Sequence, residues 1–445
     1  GVDAGERSGE DIGEGGEMSV ALAGWTVERL KDVAEVNANA LPAGTDADFE
    51  FDYLEISNVN YNGMVDPNAV EHLRFEDAPS RARRRVVSGC TVISSVRPNL
   101  QAVAFFSDPP EHFVCSTGFN VVEPKPGKLL PKFAYYHLLS ENARQYFEAA
   151  ATGVGYPAIG DKDFNAFKVA LPPLSEQQRI AAYLDASCAA IDAAVSAKRS
   201  QLDTLDALRK SIIGRAVTQG LNPKVTLKPS GLDWAVEVPD HWKVQQIKRN
   251  CSLVRGQFTH RPRNDPALYD GLYPFIQTGD ITAAGKYIRT YSQTLNELGL
   301  SASKQFPRGT LVMSIAANIG DVAILDFDAC FPDSMIGMIP GHKTHLGFLY
   351  YLMRAMRVIM LRSAVQSTQL NLNYVRIGTN FAPFPPLEEQ RAIAEYLDAK
   401  EIESHRISET ITAQIATLTA YRKSLIHECV TGQRRMTEAD VLAIA

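Results

Sequence analysis

Leu171-Pro172-Pro173-Leu174-Ser175-Glu176-Gln177 returns as Phe384-Pro385-Pro386-Leu387-Glu388-Glu389-Gln390, and each stretch heads a segment that keeps the same register. Pro172 and Pro385 lie 213 positions apart, as do Ile180 and Ile393, Tyr183-Leu184-Asp185 and Tyr396-Leu397-Asp398, Arg209-Lys210-Ser211 and Arg422-Lys423-Ser424, and Val217-Thr218 and Val430-Thr431. No gap interrupts the match. A repeat that holds register over such a stretch describes a rigid element whose length matters.

The repeated element reads as a long helix. Paired prolines are excluded from a helix interior but suit the residues just before its first turn, and Ser175 or Glu388 then starts a Pro-free, Gly-poor run to Thr218 or Thr431. Steps of four and three select Ile180, Leu184, Ser187, Ile191, Ala194, Lys198, Gln201, Leu205, Leu208 and Ile212 as a heptad seam. In the second copy they select Ile393, Leu397, Lys400, Ser404, Ile407, Ile411, Gln414, Leu418, Tyr421 and Leu425. At about 1.5 Å per residue each helix is on the order of 65 Å long, more than one globular domain can bury. Each copy is therefore the natural coiled-coil partner of the other.

A chain of 445 residues with 45% hydrophobic content has room for two or three soluble domains. The six cysteines (Cys90, Cys115, Cys188, Cys251, Cys330 and Cys429) are scattered without CxxC spacing, which suits reduced thiols in a cytoplasmic protein and no zinc site. Residues 346–361 are strongly apolar, but Arg354 and Arg357 interrupt a run already too short to span a bilayer, so a single core-facing helix is expected there. Residues 1–17 are Gly-rich and acidic without an apolar stretch and read as a disordered leader.

The segments between the helices repeat more loosely. Gly24-Trp25-Thr26-Val27 matches His241-Trp242-Lys243-Val244, and each turn glycine, Gly89 or Gly309, precedes a strand-like run, Cys90 to Ser94 or Thr310 to Ser314. Both runs enter a polar loop, Arg97-Pro98-Asn99-Leu100 or Asn318-Ile319-Gly320-Asp321, and then a second apolar strand. Phe133-Ala134-Tyr135-Tyr136 and Phe348-Leu349-Tyr350-Tyr351 open similar helices. The offset drifts among these matches while the long helices keep theirs. Constant spacers and variable loops suit a ruler carrying two readers.

The doubled P-P-L-x-E-Q opening, the Y-L-D, the R-K-S-[IL]-I close, the Trp near each module start and Gln277-Thr278-Gly279-Asp280-Ile281 resemble the specificity subunit of type I restriction-modification systems, from about Met18 to Gly432. The resemblance implies an α/β protein with two globular target recognition domains separated by two long helices that pair as an antiparallel coiled coil about a pseudo-twofold axis. The expected boundaries are recognition domain 18–172, spacer helix 173–220, recognition domain 221–384, spacer helix 385–432 and tail 433–445. Each recognition domain would read one half of a bipartite target in double-stranded DNA. It further implies two methyltransferase subunits and restriction/translocase subunits as partners, with no membrane. S-adenosylmethionine, ATP and Mg would serve those partners, so that the assembled complex, active in phage defence, methylates adenine N6 and cuts DNA with ATP. The first module departs from the second, with Leu54-Glu55-Ile56-Ser57-Asn58-Val59 where the second has Phe275-Ile276-Gln277-Thr278-Gly279-Asp280.

The residues supply no catalytic constellation of their own. Asp108-Pro109-Pro110 is followed by Glu111 and not by the aromatic residue that an amino-methyltransferase motif needs, and no glycine-rich cofactor loop accompanies it. Gly337-Met338-Ile339-Pro340-Gly341-His342-Lys343-Thr344 lacks the glycine before the lysine of a phosphate loop. The chain therefore reads as non-catalytic. A coiled-coil scaffold that holds proteins without reading DNA is the alternative from another class.

Net charge of −6 argues against a strong non-specific nucleic-acid binder, whose affinity comes from neutralising phosphates. Local charge points the other way: Arg81, Arg83, Arg84 and Arg85 form one basic run, and Lys243, Lys248, Arg249, Arg255, Arg261 and Arg263 crowd the start of the second module. Base edges are best reached by amides and guanidinium groups on loops. The candidates are Arg97, Asn99, Thr152 and Tyr156 in the first module, and Asn318, Ser367, Gln369, Asn371 and Asn373 with Arg261 and Arg263 in the second.

Overall fold

The structure, a computed structural model, describes residues 24–59, 63, 65–100, 102–316, 318–363 and 374–442. The leader expected over 1–17 and the candidates Ser367, Gln369, Asn371 and Asn373 lie outside the described residues. The chain divides into two compact units, Gly1–Lys198 with Ala413–Ala445 and Arg199–Thr412. The two long helices, Leu174–Gln219 and Leu387–Thr431, each run unbroken from one unit into the other.

In the first unit a four-stranded antiparallel sheet is ordered Ala34–Val36, Phe119–Pro124, Cys90–Ser94, Val103–Phe106. A second, mixed four-stranded sheet is ordered Glu71–Arg74, Glu50–Leu54, Phe113–Ser116, Ala82–Arg85, its central pair parallel and its outer pairs antiparallel. Gly89 holds a φ of +79° at the turn into Cys90–Ser94, and Gly309 one of +83° before Leu311–Ser314, a region that a side chain would strain. The second unit repeats the plan with a five-stranded sheet (Cys251–Arg255, Met335–Pro340, Leu311–Ser314, Val322–Leu325, Tyr287–Ile288) and a four-stranded one. It also carries a hairpin, Leu227–Leu232 with Ala235–Pro239. The single helix expected over 346–361 is two, Leu346–Ala355 and Arg357–Ser363, parted at the buried Met356. The parting turns Arg357 onto Asp321, at 2.8 Å.

The same joint fastens each module to its helix. Thr26–Arg29 pairs with Lys168–Leu171 and Lys243–Gln246 with Phe381–Phe384, so the strand that follows each tryptophan lies beside the last strand of its module, which delivers the chain to the prolines. The indole Nε1 of Trp25 donates to Glu176 at 3.1 Å, and that of Trp242 to Glu389 at 3.0 Å. Gln177 and Gln390, each 1% exposed, use both ends of their amides. Gln177 accepts from Leu130 N–H (2.8 Å) and donates to the carbonyls of Lys128 and Pro172 (both 3.0 Å). Gln390 does the same with His345 N–H (2.8 Å), Lys343 (3.0 Å) and Pro385 (2.9 Å). The repeated E-Q is therefore the solution to a buried backbone problem at a proline-ended strand. Leaving such groups unpaired costs about 1–3 kcal/mol each. Gln390→Ala should accordingly destabilise the second unit by about 3 kcal/mol in urea unfolding. A loss below about 0.5 kcal/mol would show that the backbone groups find other partners.

About two turns further, Asp185 accepts from Tyr136 Oη (2.7 Å) and pairs with Lys132 (3.0 Å), while Asp398 accepts from Tyr351 Oη (2.6 Å) and pairs with Lys286 (2.6 Å). Burial and the adjacent carboxylate raise both phenols above their ordinary range.

Within each unit the helix segments run antiparallel. In the first, Asp192 meets Arg422 (3.1 Å) and Glu176 meets Arg435 (2.9 Å), and Ile180, Leu184, Cys188 and Ile191 share a core with Leu425, Ile426, Cys429 and Val430. In the second, Arg209 meets Glu401 (2.9 Å), and Ile213, Ala216 and Val217 share a core with Ile393 and Leu397. The first long helix is apolar enough by composition to cross a membrane, yet its Ile and Leu residues from 180 to 191 are buried in this core. The seam corrects the expected phase. Cys188, Val195, Leu202 and Arg209 face inward in place of Ser187, Ala194, Gln201 and Leu208, the last 53% exposed. The second copy shifts identically, with Glu401, Ser408, Ile415 and Arg422 replacing Lys400, Ile407, Gln414 and Tyr421. A reading by hydrophobicity prefers Leu208 and Tyr421, because the ion pairs that admit arginine to the seam join residues far apart in sequence.

Burial raises the thiols of Cys90, Cys251 and Cys429 to about 12 and that of Cys188 to about 11, so these cysteines are inert packing residues.

Candidate nucleic-acid interface

The basic run Arg81 to Arg85 lies on and beside an edge strand, where period-two alternation splits its side chains between faces. Arg81 is paired with Glu55. Arg83 lies 4.5 Å over the Phe75 ring and donates to the Ala82 carbonyl at 3.0 Å. Arg84 turns inward onto the Phe119 carbonyl and Asn120 Oδ1, and burial lowers its pKa below the ordinary guanidinium value. In the second module Arg255 donates to the Asp333 carbonyl (2.8 Å) and Arg263 pairs with the Asp333 carboxylate (2.5 Å), while Arg261 donates to the carbonyls of Phe258 and His260 (both 2.8 Å). These six arginines shape and brace loops.

The four loop candidates of the first module behave differently. Cys90–Ser94 and Val103–Phe106 are adjacent strands, and the connection between them carries Arg97 and the exposed Asn99. Ser94 Oγ donates to the Val96 carbonyl at 2.6 Å and fixes how the chain leaves the strand. The Thr152–Ala158 loop closes on itself through two 2.9 Å backbone bonds between its ends. It is laced to the neighbouring connection by Arg97 N–H to Pro157 O (2.7 Å) and Ile159 N–H to Ser95 O (2.9 Å). The lacing brings Arg97 over the ring of the exposed Tyr156, with Cζ 4.3 Å from the ring centroid.

The second module uses the same strand exit, with Ser314 Oγ donating to the Ala316 carbonyl at 2.7 Å, but holds Asn318 by a polar chain. Asn318 Nδ2 is 2.9 Å from Thr282 Oγ1, Thr282 Oγ1 is 2.9 Å from Asp321 Oδ2, and Arg357 is 2.8 Å from Asp321 Oδ1. The Asp321 carboxylate and the Thr278 carbonyl, 3.2 Å from Thr282 Oγ1, can only accept, so the Thr282 proton goes to them and Thr282 accepts from the amide. The chain thus sets the Asn318 amide with its nitrogen inward and its carbonyl oxygen free for a donor. Asn318 opens on a groove of about 1740 Å³ within the second unit, walled by Lys286, Arg354 and Arg357 on one side and by Arg209, Asp398 and Glu401 on the other. Lys286–Asp398, Arg354–Glu401 and Arg209–Glu401 pair these charges internally.

The structure brings Arg97 together with Tyr156, and Asn318 together with Thr282, Asp321 and Arg357, the last three of which were not among the sequence candidates. Their only signal was position: Asp321 closes the polar loop already aligned with Arg97-Pro98-Asn99-Leu100.

Comparison with known proteins gives this arrangement a lineage. The MjaX type I restriction enzyme specificity subunit of Methanocaldococcus jannaschii is 24% identical over 392 residues, covering 84% of this chain and 86% of its own. A solved chain from work on complex assembly and conformational transition of the type I R-M system has a TM-score of 0.75 at 21% identity, covering 92% of this chain and 98% of that one. The crystal structure of the HsdS subunit from Thermoanaerobacter tengcongensis has a TM-score of 0.53 at 20% identity, covering 92% and 97%. The family described as type I restriction modification DNA specificity domain matches twice, over residues 23–202 and 239–417, once for each module with most of its helix. With two matched copies spanning most of its length, the chain belongs to the type I restriction modification DNA specificity domain family.

Proposed function

We propose that this chain is the non-catalytic DNA-recognition and scaffold subunit of a type I restriction-modification complex. Each module reads one half of a bipartite site in double-stranded DNA, and the helices set the distance between the halves. The observation that carries this reading is the joint: two loop-variable modules are fastened by the same Trp–Glu and Gln contacts to helices that keep one offset over their whole length. A scaffold that only held proteins would have no use for two divergent readers on identical mounts. The helix surfaces outside the seam, including the exposed Leu208, Ile402 and Tyr421, are where two methyltransferase subunits dock, with restriction/translocase subunits joining through them. S-adenosylmethionine, ATP and Mg act in those partners, in the cytoplasm.

Two measurements test the reading. Adenine methylation mapped in a host carrying the chain with its methyltransferase partner should show one bipartite motif, and a partner that methylates without any motif dependent on this chain would sink it. The purified chain alone should transfer no methyl group from S-adenosylmethionine and cut no DNA with ATP and Mg. Either activity in the isolated chain would contradict the assignment of chemistry to the partners.

A further inference from the structure

The guanidiniums of Arg81, Arg83, Arg84, Arg255, Arg261 and Arg263 all hydrogen-bond within the protein, whereas that of Arg97 makes no hydrogen bond to a described residue and lies over the face of Tyr156, with Cζ 4.3 Å from the ring centroid. A guanidinium held over an aromatic face is attracted by the ring quadrupole and keeps N–H groups for acceptors elsewhere. Arg97 also has a φ of +49°, an uncommon conformation for a residue with a Cβ. Arg97 N–H to Pro157 O (2.7 Å) and Leu100 N–H to Arg97 O (2.9 Å) hold it there. Tyr156 belongs to a loop whose tip, Val154, is 105% exposed between Gly153 (φ +112°) and Gly155 (φ +87°), so the stacked pair stands on a projecting, backbone-laced edge of the module.

A surface cation meant for a phosphate needs neither a fixed plane nor a constrained backbone, whereas a planar fork held in one orientation is what a base edge demands. Guanine offers the matching pair, O6 and N7, side by side in the major groove. We infer that Arg97 reads one guanine in the half-site of the first module through a bidentate contact to O6 and N7, and that Tyr156 is the positioning residue that fixes the plane of the fork. The inference rests on the DNA-recognition reading above and adds the identity of one base and the residue that reads it.

The test uses the complex of the full chain with its methyltransferase partner. The half-site belonging to the first module is the one that changes when that module is exchanged. In the wild-type complex, 7-deazaguanine, which pairs normally but lacks N7, is placed in turn at each guanine of that half. Binding should weaken about 10-fold or more at one position and little at the others. This arm requires no mutant to fold. Arg97→Lys keeps the charge and loses the fork, so discrimination at that base pair should fall by about 10- to 100-fold, with the second half-site read as before. Tyr156→Phe should behave as wild type, while Tyr156→Ala should lose discrimination at the same base pair. A bipartite motif whose first half is indifferent to 7-deazaguanine at every guanine overturns the inference alone. So does an Arg97→Lys complex with unchanged discrimination, or an Arg97→Ala complex weakened equally on all sequences with a shallower salt dependence, the signature of a phosphate contact. A wild-type complex with no bipartite motif overturns the functional reading and this inference with it.

Discussion

Four residues inserted after Ala197 should leave the complex assembled and change the spacing between its two half-sites by about one or two base pairs. The first long helix is continuous from Leu174 to Gln219, and Ala197 lies next to the point where one compact unit gives way to the other. Four residues lengthen a helix by about 6 Å, against about 3.4 Å per base pair of DNA, and at about 100° per residue they return the apolar face to within about 40° of its place. The seam here is held by Lys198, a half-buried polar residue and not a buried apolar one. Two residues inserted at the same place have the opposite effect. They rotate Leu202, Leu205, Arg209 and Ile213 by about 200°, which takes Arg209 from Glu401 and Ile213 out of its core, and assembly should fail. Methylation mapping of the four-residue variant decides the matter: a well-folded chain with unchanged half-site spacing would falsify the helix as the spacer.

Exchange of residues from about 20 to 170 for another module of the family should replace one half of the recognised sequence and leave the other as it was. The joint defines what the incoming module must bring. It needs a tryptophan for Glu176, backbone groups for Gln177, and a tyrosine and a cation for Asp185, the places held here by Trp25, Leu130 with Lys128, Tyr136 and Lys132. Modules that meet these four contacts should dock without change to the helices. The readout is the methylated motif of the chimaera, and a change in both halves would show that the modules do not read independently.

The extent of the repeat and the long helices were legible because they depend on local rules. Proline exclusion, helix periodicity and a constant offset act between neighbours along the chain, and no tertiary knowledge is needed to apply them. The phase of the seam was not legible, although the register between the copies was. Choosing between Leu208 and Arg209 requires knowing that Glu401 waits opposite, and between Tyr421 and Arg422 that Asp192 does. The basic run is divided by the fold for the same reason. Arg81 and Arg84 look like one DNA-facing patch in one dimension, but Glu55 takes the first and the Phe119 carbonyl the second.

The sequence by itself determined the doubled architecture, the paired helices and the loops that carry the readers, because spacing and composition encode them directly. Only the tertiary structure decided which charges are spent and which are free. Lys132 serves Asp185 from the module helix of the first unit, whereas the corresponding service to Asp398 comes from Lys286, 112 residues away on a loop, with Gly347 at the position that aligns with Lys132. Arg97 meets its ring only once Tyr156, 59 residues away in sequence, is folded beneath it. A side chain's chemistry is written in the sequence, but its partners are set by proximity in space, and partners determine whether a guanidinium braces a loop or remains available to a base.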